Sequence, residues 1–172
     1  MTWQTMIVET FERISMAVER TLEGLAQEDV NKQPANDSNS IGWLVWHLLR
    51  VQDLTVSDLS NEEQVWIKGG WHNKFDRPAD PMDFGLGHTP EDLVVFKSPD
   101  IQILLAYQKA VAEKMKSYLG QLPESELDRK LDHPVFPTVA ARILSALTDS
   151  LQHAGQAGYV RGLIEGKGWL PF

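Results

Sequence analysis

The chain has 172 residues, a formal net charge of −8 and no cysteine. This length fits one domain, residues 1–172, whose core needs no disulfide support. The absence of cysteine excludes a disulfide framework, a thiolate zinc site and a cysteine nucleophile. The negative charge argues against nucleic acid as a partner, because binding to phosphate backbones depends on Lys and Arg.

Composition also argues against insertion into a membrane. Hydrophobic residues make up 42% of the chain and charged residues 23%, as in globular proteins. No apolar run approaches the roughly 20 residues that a membrane span needs. The first residues, MTWQTMIVETFERI, have acids inside their apolar pattern and no small-residue cleavage site, unlike a signal peptide. We therefore expect a cytoplasmic protein with no membrane partner.

Two long helices are predicted in the first third of the chain. From residue 3 to about residue 25, apolar residues recur at spacings of three and four, which is typical of an amphipathic helix. The polar stretch EDVNKQPANDSNS interrupts this pattern, and Ser40 at its end is a suitable N-cap. The second helix is predicted over roughly residues 41–59 and contains WLVWHLLRVQD.

A long segment without a sustained period follows, from about residue 62 to residue 88. Irregular connections longer than about 12–15 residues are uncommon in compact domains and are often lids or binding loops. Trp66 and Trp71 within this insertion argue against a solvated linker. Directly after it, Thr89 as N-cap and Pro90 at the first helical position predict a short helix.

Two further long helices are predicted in the second half of the chain. Ser98 and Pro99 indicate the start of the third, which is expected to end at Gly120. Thr138 is the predicted N-cap of the fourth, which extends to about residue 165. Four long helices without an alternating strand pattern predict an all-α fold: a four-helix bundle with a long insertion between helices two and three.

Three polar residues fall on the inward faces of two of these helices. Asp149 and His153 are four residues apart in the last helix, so they share a face that is otherwise apolar. In the second helix, the same geometry groups His47 with Trp43 and Leu44. Since a buried carboxylate is costly unless it is paired or bound to a metal, these residues require an explanation.

Two interpretations of these residues are open. In one, Asp149 pairs with His153, Arg142 or Arg161, and His47 is a hydrogen-bonded core histidine. In the other, His47, Asp149 and His153 bind one divalent transition metal; zinc, iron and nickel all suit such ligands. Helix bundles often build metal sites from side chains on facing helices.

Other polar residues could serve such a site. His72 and His88 lie in the insertion and could supply a proton or a further ligand. A local structural role is the alternative, since His88 directly precedes the predicted N-cap Thr89. Gln156 lies about 60° from His153 around the helix and could reach the edge of the site. No catalytic residue is assigned.

The sequence resembles the DinB-like superfamily of metal-binding four-helix bundles. WLVWHLLRVQD is similar to the family's second helix, DSLQHAGQ to its last-helix motif, and VWIKGGWHNKF with GLGHTPEDL to a segment of uncharacterised members. The resemblance implies that His47 and His153 are metal ligands. Asp149 takes a place that is more often histidine and resembles the branch of mycothiol-dependent maleylpyruvate isomerases, where a carboxylate takes that place.

Bacillithiol S-transferases also belong to this superfamily. The resemblance therefore implies a metal-dependent enzyme that uses a low-molecular-weight thiol, either to transfer it to a small electrophile or to isomerise the electrophile. Because the chain has no cysteine, the thiol would come from outside. A metal-dependent hydrolase and a non-catalytic bundle that binds a metal or a small ligand are the alternatives. Family members often form homodimers. Here the six tryptophans, several of them in or near the insertion, and the tail GWLPF could form a dimer contact or complete the monomer core.

Overall fold

The computed structural model describes residues 1–168. Within these residues the chain forms eight α-helices and no strand, with one isolated β-bridge between Lys130 and Thr138. The prediction of an all-α fold is therefore confirmed. The helices are α1 (Trp3–Leu22), α2 (Gln27–Val30), α3 (Ile41–Ser60), α4 (Val65–Lys68), α5 (Trp71–Lys74), α6 (Pro90–Val95), α7 (Ile101–Gln121) and α8 (Val139–Glu165).

Two expectations concern membranes and assembly. None of the helices in residues 1–168 combines the length and the apolar composition that a membrane span requires. Residues 169–172 of the tail GWLPF lie outside the described residues, so the homodimer contact inferred from this tail stays a prediction.

The four long helices α1, α3, α7 and α8 form the bundle. Both α1 and α3 pack against α7 and α8, so α1 and α3 lie on one diagonal and α7 and α8 on the other. Among the long helices that follow each other in the described part of the chain, only α3 and α7 are neighbours in the bundle, and the segment between them contains the insertion. The broadest interface in the bundle is between α3 and α8.

Three predicted N-caps are confirmed by side-chain hydrogen bonds to the first turn. Ser40 accepts from the backbone N of Trp43 at 3.2 Å and Thr138 from that of Ala141 at 3.2 Å. Thr89 forms a capping box, in which its side chain and that of the residue three positions on satisfy each other's backbone N–H.

Three predicted helix ends, in two helices, differ from the observed ends by one to three residues. The N-cap of α7 is Asp100, which accepts from the backbone N of Gln102 at 2.8 Å. Ser98 does not cap it: the Ser98 hydroxyl accepts from Nε2 of Gln27 at 3.3 Å, and its backbone N donates to Asn31 at 2.8 Å. The same helix ends at Gln121, one residue beyond Gly120, and α1 ends at Leu22 rather than near residue 25.

Helix α3 is covered on nearly every side. Buried residues occupy 17 of its 20 positions, more than contacts with two neighbouring helices alone would cover. The insertion covers the remaining face, because Trp66 and Phe75 are buried and the Trp66 ring packs 6.5 Å from that of Trp46. The helix that carries His47 is therefore also the helix on which the insertion folds.

Asp53 anchors the beginning of the insertion to α3. Its carboxylate is fully buried and accepts hydrogen bonds from the backbone N atoms of Val65 at 2.9 Å and Trp66 at 2.8 Å. The hydroxyl of Tyr107, on α7, donates to the same carboxylate at 3.0 Å. Three elements therefore meet at one buried anion.

Arg50 anchors the end of the insertion. Its Nε donates to the carbonyl of Asp83 at 2.8 Å and its Nη2 to the carbonyl of Pro81 at 3.0 Å. The guanidinium lies 4.5 Å above the ring of Trp66 and 3.5 Å from the Asp53 carboxylate. Arg50 and Asp53, one helical turn apart, thus hold both ends of the insertion.

Replacement of Asp53 by Asn is expected to lower the free energy of unfolding by about 3 kcal/mol, because Arg50 would stay buried without its counter-charge. Urea denaturation followed by circular dichroism measures the change. The matched control is Asp58→Asn, which breaks the 3.1 Å pair with Arg142. Asp58 is half exposed, so the expected loss there is below about 1 kcal/mol. Equal losses in the two variants would contradict the anchoring role of Asp53.

Candidate metal centre

His47, Asp149 and His153 come together between α3 and α8. One ligand atom from each lies within 4.8 Å of the other two. Both imidazole Nε2 atoms face Oδ1 of Asp149, at 3.6 Å from His47 and 3.5 Å from His153. The structure therefore gathers into one cluster the three residues that the sequence singled out on inward faces.

The spacing within this cluster fits a metal ion better than direct hydrogen bonds. An N–H···O hydrogen bond spans about 2.7–3.2 Å, which is shorter than both separations. Two ligand atoms that are each about 2.1 Å from a tetrahedral ion lie about 3.4 Å from each other. In addition, Oδ2 of Asp149 is buried and has no hydrogen-bond partner within residues 1–168. The two Nε2–Oδ1 separations match this value, and two imidazoles with a carboxylate are ligands that suit a divalent transition metal such as zinc, iron or nickel.

Hydrogen bonds on the far sides of both rings fix their tautomers. Nδ1 of His47 donates to the carbonyl of Phe84, and Nδ1 of His153 donates to Oε1 of Gln156 at 2.6 Å. Because both partner oxygens accept, each Nδ1 carries a proton, and the Nε2 atoms are directed into the cluster. Metal-ligating histidines usually have such a partner. Gln156, predicted at the edge of the site, thus orients His153.

Asp149 and His153 each stabilise the charged form of the other. Burial raises the pKa of Asp149, but the neighbouring His153 and His47 outweigh this effect and lower it to about 2. Burial lowers the pKa of His153, and the adjacent Asp149 carboxylate more than compensates, so that the pKa of His153 is raised overall. Asp149 is therefore an anion at neutral pH, the state in which it attracts a cation.

The two arginines that could have neutralised Asp149 have other partners. Arg142 pairs with Asp58 at 3.1 Å. Arg161 pairs with Glu165 at 3.1 Å and donates to backbone carbonyls at the end of α1. Within residues 1–168, the ion-pair contacts of Asp149 are those with the two histidines.

The histidines of the insertion lie outside the three-residue cluster. Nδ1 of His88 accepts from Nε1 of Trp43 at 3.0 Å, so this lone pair is occupied. Burial, together with the charge of Arg77, lowers the pKa of His88 and keeps its ring neutral. Trp43 in turn stacks on His47, with ring centroids 4.8 Å apart. His88 thus supports the ring that covers His47, whereas His72 lies in α5 and is not part of the cluster.

Phe84 and Gly85 also belong to the site, and no sequence pattern predicted them. Phe84 contributes a backbone carbonyl, which leaves no trace in a side-chain pattern. Gly85 has a φ of +90°, and a Cβ atom there would lie 2.7 Å from Cζ2 of Trp43 and 3.0 Å from Cζ3 of Trp46. Only glycine lets the insertion approach α3 this closely. The glycines of GLGHTPEDL were the sequence feature that could have indicated this close approach.

An all-α bundle with two histidines and a carboxylate between facing helices has the features of a candidate metal-binding bundle. The chain belongs to the DinB superfamily, whose family model matches residues 10–157, as the resemblance predicted. A solved structure described as the conserved protein of locus from Enterococcus faecalis is 34% identical to the chain, with a TM-score of 0.88. The match covers 97% of this chain and 99% of that chain. Among proteins of curated function, none matches.

Replacement of Gly85 by Ala is expected to lower the free energy of unfolding by about 2 kcal/mol more than replacement of Gly87 by Ala. Both glycines have positive φ, at +90° and +83°, so both variants share the strain of a left-handed alanine. Only at Gly85 does the new Cβ atom meet Trp43, and overpacking of this kind costs about 1–3 kcal/mol. Urea denaturation of the two variants measures the difference. Equal losses would show that the close approach of Gly85 to Trp43 is unimportant.

Proposed function

We propose that the protein is a metal-dependent enzyme that uses a low-molecular-weight thiol, transferring it to a small electrophile or using it for isomerisation. The observation that carries this proposal is the cluster of His47, Asp149 and His153, whose Nε2 and carboxylate atoms converge. Three protein ligands leave at least one position of a tetrahedral ion for a molecule from solution, as in catalytic rather than structural zinc sites.

A bound divalent transition metal supplies Lewis acidity, which lowers the pKa of a thiol or water molecule that enters its open position. The chain's own residues hold the geometry for this step. Asp149 supplies the negative charge, while Phe84 and Gln156 fix the two imidazole rings through their Nδ1 protons. Since the chain contains no cysteine, the thiol is an external molecule.

A metal-dependent hydrolase is the alternative within the enzymes, because the same three ligands would serve a water nucleophile equally well. The two activities differ in one observable: turnover of an electrophile by the transferase or isomerase requires added thiol, and hydrolysis does not. A cytoplasmic location and a small-molecule substrate belong to the same proposal.

A non-catalytic bundle is the alternative outside the enzymes. In such a protein a fourth protein ligand would complete the metal's coordination, and no exogenous ligand could bind. The matched family and fold do not decide between these activities, since one site on one fold can serve several reactions.

Titration of the protein with Co²⁺ is expected to give one tightly bound equivalent with a visible absorption spectrum. The His153→Ala variant should lose this binding, because it removes one of three ligands, while its far-UV circular dichroism stays unchanged. His133→Ala is the matched control. His133 is also a histidine engaged through Nδ1, but its partners are the backbone N atoms of Val135 and Phe136, so cobalt binding should persist.

Addition of azide or of a small thiol to the cobalt-loaded protein separates the remaining alternatives. A change in the visible spectrum is expected, because an open coordination position accepts the added ligand. An unchanged spectrum would indicate a closed structural site and contradict the enzyme proposal. Absence of cobalt binding in the wild-type protein would remove the metal centre itself.

A further inference from the structure

We infer that Arg50 is a positioning residue of the metal centre, which acts on His47 through the insertion. Arg50 holds the backbone carbonyls of residues 81 and 83, so that the next residue, Phe84, presents its carbonyl to Nδ1 of His47. This inference rests on the proposed metal-binding function. It assigns a role at the metal site to a buried residue that does not contact the atoms of His47, Asp149 and His153 that would bind the metal.

The contacts of Arg50 leave its side chain little freedom. It is fully buried, and its Nη1 donates to Oε1 of Gln64 at 2.9 Å, in addition to the bonds from Nε to Asp83 and from Nη2 to Pro81. The amide of Gln64 also donates to the Pro81 carbonyl, at 3.1 Å. The planar guanidinium is packed against the Trp66 ring. Donors in a fixed fork therefore define where the insertion backbone lies.

His47 and Arg50 lie on the same face of α3 and donate hydrogen bonds to the carbonyls of two consecutive residues. They are three residues apart, so their side chains leave the helix in similar directions. Arg50 binds the carbonyl of Asp83, and His47 binds the carbonyl of Phe84. Because the peptide unit between these residues is planar, a fixed Asp83 carbonyl restricts the position of the Phe84 backbone.

The side chain of Asp83 secures the same segment from the other side. Arg77 binds its carboxylate with two hydrogen bonds, of 2.6 Å and 2.7 Å. The Arg77 guanidinium also lies 4.8 Å above the ring of Trp46 on α3. The residue before Phe84 is thus held through its backbone by Arg50 and through its side chain by Arg77.

A looser Phe84 carbonyl would affect His47 in two ways. The proton would no longer be confined to Nδ1, so part of the population would carry it on Nε2, the atom directed at Asp149. The ring would also gain rotational freedom. Loss of the outer hydrogen bond of a ligating histidine typically weakens metal binding by 10–100-fold.

The test is Arg50→Lys, which keeps the positive charge but replaces the planar fork by a single ammonium group. We expect the dissociation constant for Co²⁺ to rise about tenfold. In the metal-free variant, ¹⁵N NMR of the His47 ring should show a shift from the Nδ1-protonated tautomer towards a mixture. Arg142→Lys is the matched control, since Arg142 is also a buried arginine but pairs with Asp58 instead of binding the carbonyls of residues 81 and 83.

Two outcomes overturn the inference. One is an Arg50→Lys variant whose cobalt affinity stays within twofold of wild type while its stability falls as in Arg142→Lys, which indicates a purely structural role. The other is an unchanged His47 tautomer. If Arg50→Lys does not fold, Arg77→Lys loosens the same segment from its partly exposed side and is expected to shift the tautomer in the same direction, to a smaller extent; an unchanged tautomer there also overturns the inference.

Failure of the inference is distinct from failure of the proposed function. If wild-type protein binds no cobalt, the metal-centre proposal fails, and the NMR measurement still decides whether Arg50 controls the His47 ring. If wild-type protein binds cobalt and the variants bind it equally well, the metal centre stands and the role of Arg50 is rejected.

Discussion

Arg50 and Asp53 of α3 form an ion pair in which both side chains are fully buried, and the position of the insertion depends on this pair. A buried charge is tolerated only when its hydrogen-bonding capacity is filled. Here the partners are mostly backbone groups of the insertion: amides at Val65 and Trp66 for the anion, and carbonyls at Pro81 and Asp83 for the cation. The pair therefore fastens an irregular segment to the helix that carries His47.

The candidate metal centre combines residues from three parts of the chain: α3, α8 and the insertion. The bundle brings His47 on α3 to face Asp149 and His153 on α8. The insertion supplies the carbonyl that fixes the His47 tautomer. Each imidazole is thus oriented by a group outside the ligand set, in keeping with the importance of outer hydrogen bonds for metal sites. The three candidate ligands lie on helices of the bundle, and the insertion fixes the orientation of His47.

Local features were predictable from the sequence; the meeting of His47 with Asp149 and His153 was predicted from helical faces and the family resemblance, and other long-range contacts were not. The caps Ser40 and Thr138 and the shared face of Asp149 and His153 follow from residue types and helical spacing alone. The start of α7 was misplaced because Ser98 is held by Asn31 from a distant loop. The diagonal placement of α1 and α3 and the backbone contact from Phe84 to His47 depend on tertiary packing, which periodicity does not encode. The roles of Arg50 and Asp53 were not predicted, because their partners are backbone groups of the insertion.

The central claim is that His47, Asp149 and His153 hold one metal ion between α3 and α8. X-ray diffraction from crystals of cobalt-loaded protein, recorded on both sides of the cobalt absorption edge, tests it most directly. The account predicts one anomalous peak about 2.0–2.2 Å from both Nε2 atoms and from a carboxylate oxygen of Asp149, with Nδ1 of His47 still bonded to the Phe84 carbonyl. A peak at other residues, or no peak between these helices, would contradict it.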